Sequence, residues 1–308
     1  MYAHGGDVAG GFAPQQPCLL PAQEGHRLLE KRVGVGLQQA RSREPQKQLE
    51  SVSWSARNSP VVTREIQIPA PGPNSDKTPP PLLPGTLYLV ATPIGNLEDI
   101  TFRALRTLRE CDVVAAEDTR RTGQLLKHFE IARPLLSYFQ FNEARRSEEI
   151  LERLARGEKV ALVTDAGSPG ISDPGERVVR AARTAGFRVE AVPGACALVA
   201  ALTASGLPTD EFHFIGFLPH KSGQRRKQLE ALKQFAGTLV LYESPYRIEK
   251  LLVELAEVFP ERQVVLAREL TKKFEEFLHG TPAELLEVTK KRSLKGEFVV
   301  MVRGVAEE

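Results

Sequence analysis

Three cysteines in 308 residues (Cys18, Cys111 and Cys196) lie far apart and in no paired pattern. That excludes a cysteine-rich zinc site and suits a reducing cytosol. The six histidines show no metal-ligand spacing, so no metal is expected. No stretch approaches the ~18 continuous apolar residues of a membrane span. A basic start followed by a long apolar run is also missing, which argues against a secretory signal. No Gly-x-Gly-x-x-Gly follows a strand-like run, and there is no Gly-x4-Gly-Lys-Ser/Thr loop and no Gly-x-Ser-x-Gly elbow. The usual dinucleotide, P-loop and serine-hydrolase mechanisms are disfavoured accordingly. An excess of charge is lacking too. The whole chain carries 41 Lys+Arg against 39 Asp+Glu, while residues 85–308 hold 32 of each. Nucleic-acid binding, if present, must rest on local patches.

Composition divides the chain. Residues 1–84 contain 12 of the 22 prolines, the only tryptophan (Trp54) and one of the 14 phenylalanines, with no sustained period. Such a segment cannot bury enough surface to offset chain entropy, so it reads as a disordered Pro-rich extension. From Pro84 onward apolar runs alternate with helical patterns. Strands are expected at 86–92, 112–116, 135–136, 159–164 and 187–192, with helices near 99–110, 120–129, 143–156, 174–185 and 195–205. This alternation argues for a mostly parallel sheet covered on both faces. The pattern breaks near Pro208. Strands at 212–218, 238–243, 263–267, 274–278 and 297–302 and helices at 223–235, 246–258 and 282–290 follow. The expectation is two α/β domains, 85–207 and 208–308.

The richest stretch is Thr164–Gly175, TDAGSPGISDPG, which directly follows the apolar run Val160–Val163. Three Gly, two Pro, two Asp and two Ser in twelve residues let backbone approach a ligand and supply donors and acceptors. Ordinary connections of roughly 2–6 residues need no such chemistry. Thr92–Asp99 and Pro193–Cys196 repeat the pattern of strand, Pro/Gly turn and helix. Loops at the carboxyl ends of parallel strands form the ligand crevice of open α/β sheets, so a shared pocket is expected there.

The ordered series TLYLVATPIGNLEDIT (86–101), AAEDTRRTGQLLKHF (115–129), LVTDAGSPGISDPG (162–175), VPGACALVAALTASGLP (192–208), LYESPYRI (241–248) and ARELTKKFEEFLHGT (267–281) resembles the ribosomal RNA (cytidine-2′-O)-methyltransferase branch of the tetrapyrrole methylase superfamily. The resemblance covers nearly all of 85–308 and none of 1–84. It implies a cytoplasmic, homodimeric, two-domain enzyme binding S-adenosyl-L-methionine between its domains, with small-subunit ribosomal RNA or the assembled subunit as partner and no membrane. Related enzymes of the superfamily methylate porphyrin-like rings or diphthamide precursors, so the superfamily alone does not fix the substrate. A tetrapyrrole-type methyltransferase and a non-catalytic RNA-binding assembly factor therefore remain alternatives.

On that resemblance the cofactor pocket is assigned to Pro93, Gly95, Asp165, Ala166, Gly167, Ser168, Pro193, Gly194, Ala195 and Cys196, faced by Tyr242, Glu243 and Gly296. Asp165 also fits a turn acceptor, and Tyr242 a half-buried strand residue. A ribose hydroxyl is a weak acid, so a base or a nearby cation is expected. Glu117 and Asp118, which follow a strand, and Lys272 are the catalytic candidates, although adjacent carboxylates after a strand also suit a helix cap. Arg120, Arg121, Lys221, Arg225 and Arg226 are the RNA-contact candidates. Phe139 and Phe141 have the chemistry to stack on a base, but packing inside the fold is the expectation for both.

Overall fold

Apolar runs that end in Gly- and Pro-rich loops become the strands of two five-stranded sheets in the computed structural model, which describes residues 79–305. All of these belong to one unit, Pro71–Glu308. The first half runs β1 (Thr86–Val90), a 3₁₀ turn (Leu97–Asp99), α1 (Phe102–Glu110), β2 (Val113–Ala116), α2 (Thr119–His128), β3 (Leu135–Ser137), α3 (Glu143–Ala155), β4 (Val160–Val163), α4 (Glu176–Thr184), β5 (Arg188–Val192) and α5 (Ala197–Ala204). The second half runs β6 (Phe212–Phe217), α6 (Ser222–Ala231), β7 (Thr238–Glu243), α7 (Ile248–Val258), β8 (Val264–Arg268), β9 (Glu276–Gly280), α8 (Pro282–Lys291) and β10 (Phe298–Val302).

The first sheet has the order β3-β2-β4-β1-β5 and every pair is parallel. All five loops that follow these strands therefore emerge at one edge. β2 and β4, fully buried, read as unbroken apolar runs because helices cover both faces. One core cluster, with Tyr88, Leu108, Val114 and Leu126, lies under α1 and α2. Another, with Leu87, Ile150, Leu162 and Val178, lies under α3 and α4. The second sheet has the order β6-β7-β10-β8-β9 and is mainly antiparallel, with only β6 and β7 paired in parallel. Its centre, β10, is buried along all five residues. Each such aliphatic side chain contributes about 1.5–3 kcal/mol relative to exposure.

α5 explains how the halves meet. Its sequence, ALVAALTA, is small and apolar on nearly every side, so no polar face turns it toward water. Ala201 and Leu202 pack with Val240, Val265, Ala267, Val299 and Met301 of the second sheet. Helices α7 and α8 cover the opposite face, through Leu251, Leu255 and Leu285.

The structure moves several expected boundaries. The expected helix at 99–110 is a 3₁₀ turn, then a fresh start at Thr101, whose side chain accepts from Ala104 N–H. The helix expected from 174 begins at Glu176, because Gly175 has φ 147° and breaks the helical path. The strand expected at 274–278 lies at Glu276–Gly280. The extension placed at 1–84 lies outside the described residues except for 79–84, and those touch the fold. Leu83 N–H donates to the Tyr88 hydroxyl at 2.7 Å, Arg106 reaches the Pro80 carbonyl at 2.8 Å, and Leu82 packs against the core. Phe139 and Phe141, expected to pack, are instead exposed, Phe141 at 89%.

Candidate active site

The loops after β1 and β4 are tied together by a two-residue bridge. Thr92 N–H donates to the Gly167 carbonyl at 2.9 Å, and Gly167 N–H returns to Thr92 at 3.0 Å. Gly167 has φ 87°, a conformation that glycine alone takes without strain. Thr92 Oγ1 also donates to the Thr164 carbonyl, which anchors the bridge to the sheet. This bridge divides the space at the sheet edge into two clefts.

The first is a cavity of about 270 Å³ between the halves. The first half contributes Ile94, the segments Ala166–Ser168 and Ile171–Asp173, and Cys196 with Ala197. The second contributes Phe217, Tyr242–Ser244, Glu269, Leu270, Lys272 and Glu297–Val299. Tyr242 meets Phe217 and Phe214 edge-on, with ring centroids 5.7 and 5.0 Å apart. Its hydroxyl accepts from Leu198 N–H at 3.1 Å and so pins α5 to β7. Burial pushes that phenol well above its ordinary range, so it stays neutral. Backbone strain gathers here. Ser172, Glu269 and Thr271 are non-glycine residues with φ of 64°, 50° and 65°, and the first two line the cavity.

The lining is rich in carboxylates. Burial first, and then the charges of Glu117, Asp165 and Glu297, raise Asp173 to about 7. Lys272 donates to Glu269 at 2.9 Å and to Glu297 at 3.1 Å. Burial works against its charge, but those bonds outweigh it and raise its pKa. Burial likewise opposes the charge of Glu269, yet the bond from Lys272 prevails and holds that carboxyl below the ordinary range. Glu243 is buried; one oxygen accepts from Ser244 N–H at 2.8 Å, and the other lies 3.1 Å from the Arg247 guanidinium without hydrogen-bond geometry.

Of the expected cofactor residues, the structure brings Ala166, Gly167, Ser168, Cys196, Tyr242 and Glu243 into this cavity, together with Lys272 from the catalytic set. Asp165 is turned the other way. Its carboxylate accepts from Asp118 N–H at 3.1 Å and pairs with Arg121 at 3.3 Å, so it braces the loop after β2. With Pro93 and Gly95 it lines the second cleft, of about 400 Å³, which also holds Leu97, Arg121 and His128. At Gly95 the halves touch: a Cβ there would stand 2.5 Å from Lys272 Cγ. Pro193, Gly194 and Ala195 flank the cavity without lining it. Gly194 presses on Ala91, and the Ala195 carbonyl accepts from Ser168 Oγ at 3.4 Å. Gly296 also stands behind the wall, with φ 95° and the Glu269 side chain in the space a Cβ would need.

Glu117 and Asp118 separate in character. Asp118 caps α2, and the Arg120 guanidinium and backbone N–H hold its carboxyl far below the usual range. A carboxylate so stabilised is a poor base, so the cap reading prevails for Asp118. Burial raises Glu117 instead, against the opposing N–H of Asp165 at 3.4 Å. Neither lines the cavity. Among the RNA candidates, Arg120, Arg121, Lys221 and Arg226 are exposed. Arg225 is corrected: it is 4% exposed and locked onto Glu254, which leaves it no surface to offer RNA. Sequence reading missed Ser172, Asp173, Phe217 and Glu297. Ser172 and Asp173 had a signal, since both sit inside the Thr164–Gly175 loop; Phe217 and Glu297 depend on which face each strand and turn shows the cavity.

The donor set fits S-adenosylmethionine. The apolar walls and aromatic edges of Ile94, Phe217, Tyr242 and Val299 suit an adenine ring, and the carboxylates suit ribose hydroxyls and a positive sulfonium. Residues 86–286 match the model of the Tetrapyrrole (Corrin/Porphyrin) Methylases. The chain is 51% identical over 224 residues to the ribosomal RNA small subunit methyltransferase I of Halalkalibacterium halodurans, covering 73% of this chain and 78% of that one. It is 51% identical over 228 residues to the protein of the same name from Xylella fastidiosa, covering 73% and 84%. Among solved structures, uroporphyrin-III-C-methyltransferase of Thermus thermophilus is similar with a TM-score of 0.52 at 25% identity, over 71% of this chain and 94% of that one.

Proposed function

This chain belongs to the tetrapyrrole methylase family, in its ribosomal RNA small subunit methyltransferase I group, and on that premise we propose that it methylates the 2′-hydroxyl of a cytidine ribose in small-subunit ribosomal RNA. It is an S-adenosylmethionine-dependent methyltransferase, and the cofactor supplies an electrophilic methyl carbon on sulfonium. In this reading the 85–207 and 208–308 domains close on the cofactor from two sides. Ala166–Ser168 and Cys196 form one wall, Tyr242 and Glu243 the other, and Lys272 orders Glu269 and Glu297 at the mouth.

The single observation that supports a hydroxyl acceptor is Asp173. It is a partly buried carboxylate on the cavity wall, surrounded by other carboxylates, with its pKa raised to about 7. A base poised there is half deprotonated at neutral pH and basic enough to take a proton as a ribose oxygen attacks. We assign the proton acceptor to Asp173, with Glu117 keeping its field negative. Arg120 and Arg121 at the start of α2, and Lys221 beside α6, are the proposed phosphate contacts; the enzyme is proposed to be cytoplasmic and dimeric. No helix among the described residues is long and apolar enough to cross a membrane.

The test is incubation of the full chain with methyl-labelled cofactor and, in parallel, isolated 30S subunits, naked 16S RNA and uroporphyrinogen. Label in a 2′-O-methylcytidine from the RNA arms supports the proposal. Label in the tetrapyrrole, or RNA binding without transfer, overturns it.

A further inference from the structure

We propose that Phe139 and Phe141 form a stacking platform that holds an unpaired nucleobase of the RNA beside the reacting nucleotide. The inference rests on the function proposed above. Phe141 is 89% exposed and Phe139 38%, and their rings meet edge-on with centroids 6.2 Å apart. Two aromatic rings set side by side in water leave apolar surface uncovered that folding alone does not bury.

The loop that carries them is firmly held. Tyr138, buried beneath it, donates its backbone N–H to the Ala116 carbonyl at 2.8 Å and its hydroxyl to Glu143 at 3.1 Å. Asn142 accepts from Phe139 N–H at 2.8 Å through Oδ1 and donates to the Ser137 carbonyl at 3.2 Å through Nδ2. The rings therefore project from a pinned turn, which lowers the entropy cost of stacking on them.

Position and charge select the occupant. The bond to Ala116 sets this turn beside the loop after β2, where Arg120 and Arg121 stand largely in solvent. Arg145, one helical turn beyond Phe141, is exposed and makes no ion pair among the described residues. Aromatic faces flanked by guanidinium groups are the combination that binds single-stranded nucleic acid, with rings on the bases and cations on the phosphates. Glu143 then ties the platform to the reaction centre. Its Oε1 accepts the Tyr138 hydroxyl and also Gly175 N–H at 3.2 Å, and Gly175 lies two residues beyond Asp173. A base held on the phenylalanines is thereby placed relative to the carboxylate proposed to receive the proton.

The test uses the full chain with Phe139→Ala/Phe141→Ala and, separately, Phe141→Trp. The probes are a single-stranded oligoribonucleotide carrying 2-aminopurine and 30S subunits as methyl acceptor. Stacking on a base contributes enough that the double variant should bind RNA about 5- to 150-fold more weakly. It should not quench 2-aminopurine fluorescence, while cofactor affinity and melting temperature stay at wild-type values. Phe141→Trp should retain both binding and quenching. Unchanged affinity and quenching in the double variant would overturn the platform. So would a change in sedimentation from dimer to monomer, which would make the rings an interface between copies. Absence of methyl transfer by the wild type would instead count against the proposed function, since the fluorescence arm does not depend on turnover.

Discussion

Replacing Arg225 by alanine should cost far more stability than replacing its neighbour Arg226, although both were expected to face RNA. Arg225 donates through Nε and Nη2 to Glu254, and through Nη1 to the carbonyls of Pro219 and His220 at 3.3 and 3.2 Å. Glu254 also accepts from Ser222 Oγ at 2.7 Å and is 7% exposed. Removing the guanidinium leaves a buried carboxylate with only the Ser222 hydroxyl to hold it and takes the donor from the His220 carbonyl, a change that costs about 3–5 kcal/mol. At about 2–4 °C per kcal/mol for a body of this size, the melting temperature should fall by roughly 6–20 °C. Arg226 pairs with Glu230 and Glu257 at an exposed surface, where loss of a pair should stay within about 0.5 kcal/mol. The difference has a pH signature. Burial opposes the charge of Glu254, but the bonds from Arg225 and Ser222 win and lower its pKa. A lowered carboxylate stabilises the fold above its unfolded value, near about 4.3, and that stabilisation is lost as pH falls through the folded value. The gap between wild type and Arg225→Ala should therefore close in acid. Thermal unfolding at pH 7 and pH 3, beside RNA titration, checks this. If Arg225→Ala melted with the wild type and lost RNA affinity, the ion pair would not be structural and the surface reading of Arg225 would stand.

Asp173→Asn should slow methyl transfer by about 10²–10⁴-fold with cofactor affinity retained, and the wild-type rate should rise with pH and level off above about 7, where Asp173 is deprotonated; a flat profile from pH 6 to 8 would remove it as the base. The same variant should melt higher than wild type at pH 8, because a raised carboxyl loses its stabilising proton above its folded pKa. Gly296→Ala should weaken cofactor binding measured by calorimetry, since φ 95° strains any other residue and the new Cβ would force the Glu269 side chain out of its place in the wall. Lys221→Glu with Arg226→Glu should lower the log–log salt slope of RNA binding by about 0.7–0.9 for each phosphate no longer neutralised, leaving melting unchanged; identical slopes would assign both cations to plain solvent exposure.

Elements were legible in the sequence because their signals are local. Val160–Val163 reads as a strand from four apolar residues, although the next helix, expected from 174, starts only after Gly175. The three Pro/Gly loops announced a site for the same reason: backbone needs at a turn are written in the turn itself. The allocation of side chains within those loops was not written there. The Thr92–Gly167 bridge joins residues 75 positions apart, and it sends Asp165 to one cleft while Asp173 borders the other. Arg225 and Arg226 are neighbours in sequence, yet one is sealed against Glu254, 29 residues away, and the other lies in solvent, because about 100° of helical rotation separates them. Periodicity and turn chemistry depend on neighbours along the chain, so residue order alone sets the strands, the helices and the place of the loops. Burial, charge pairing and a shifted pKa depend on what lies across a cleft, and only the packed chain decides which groups those are.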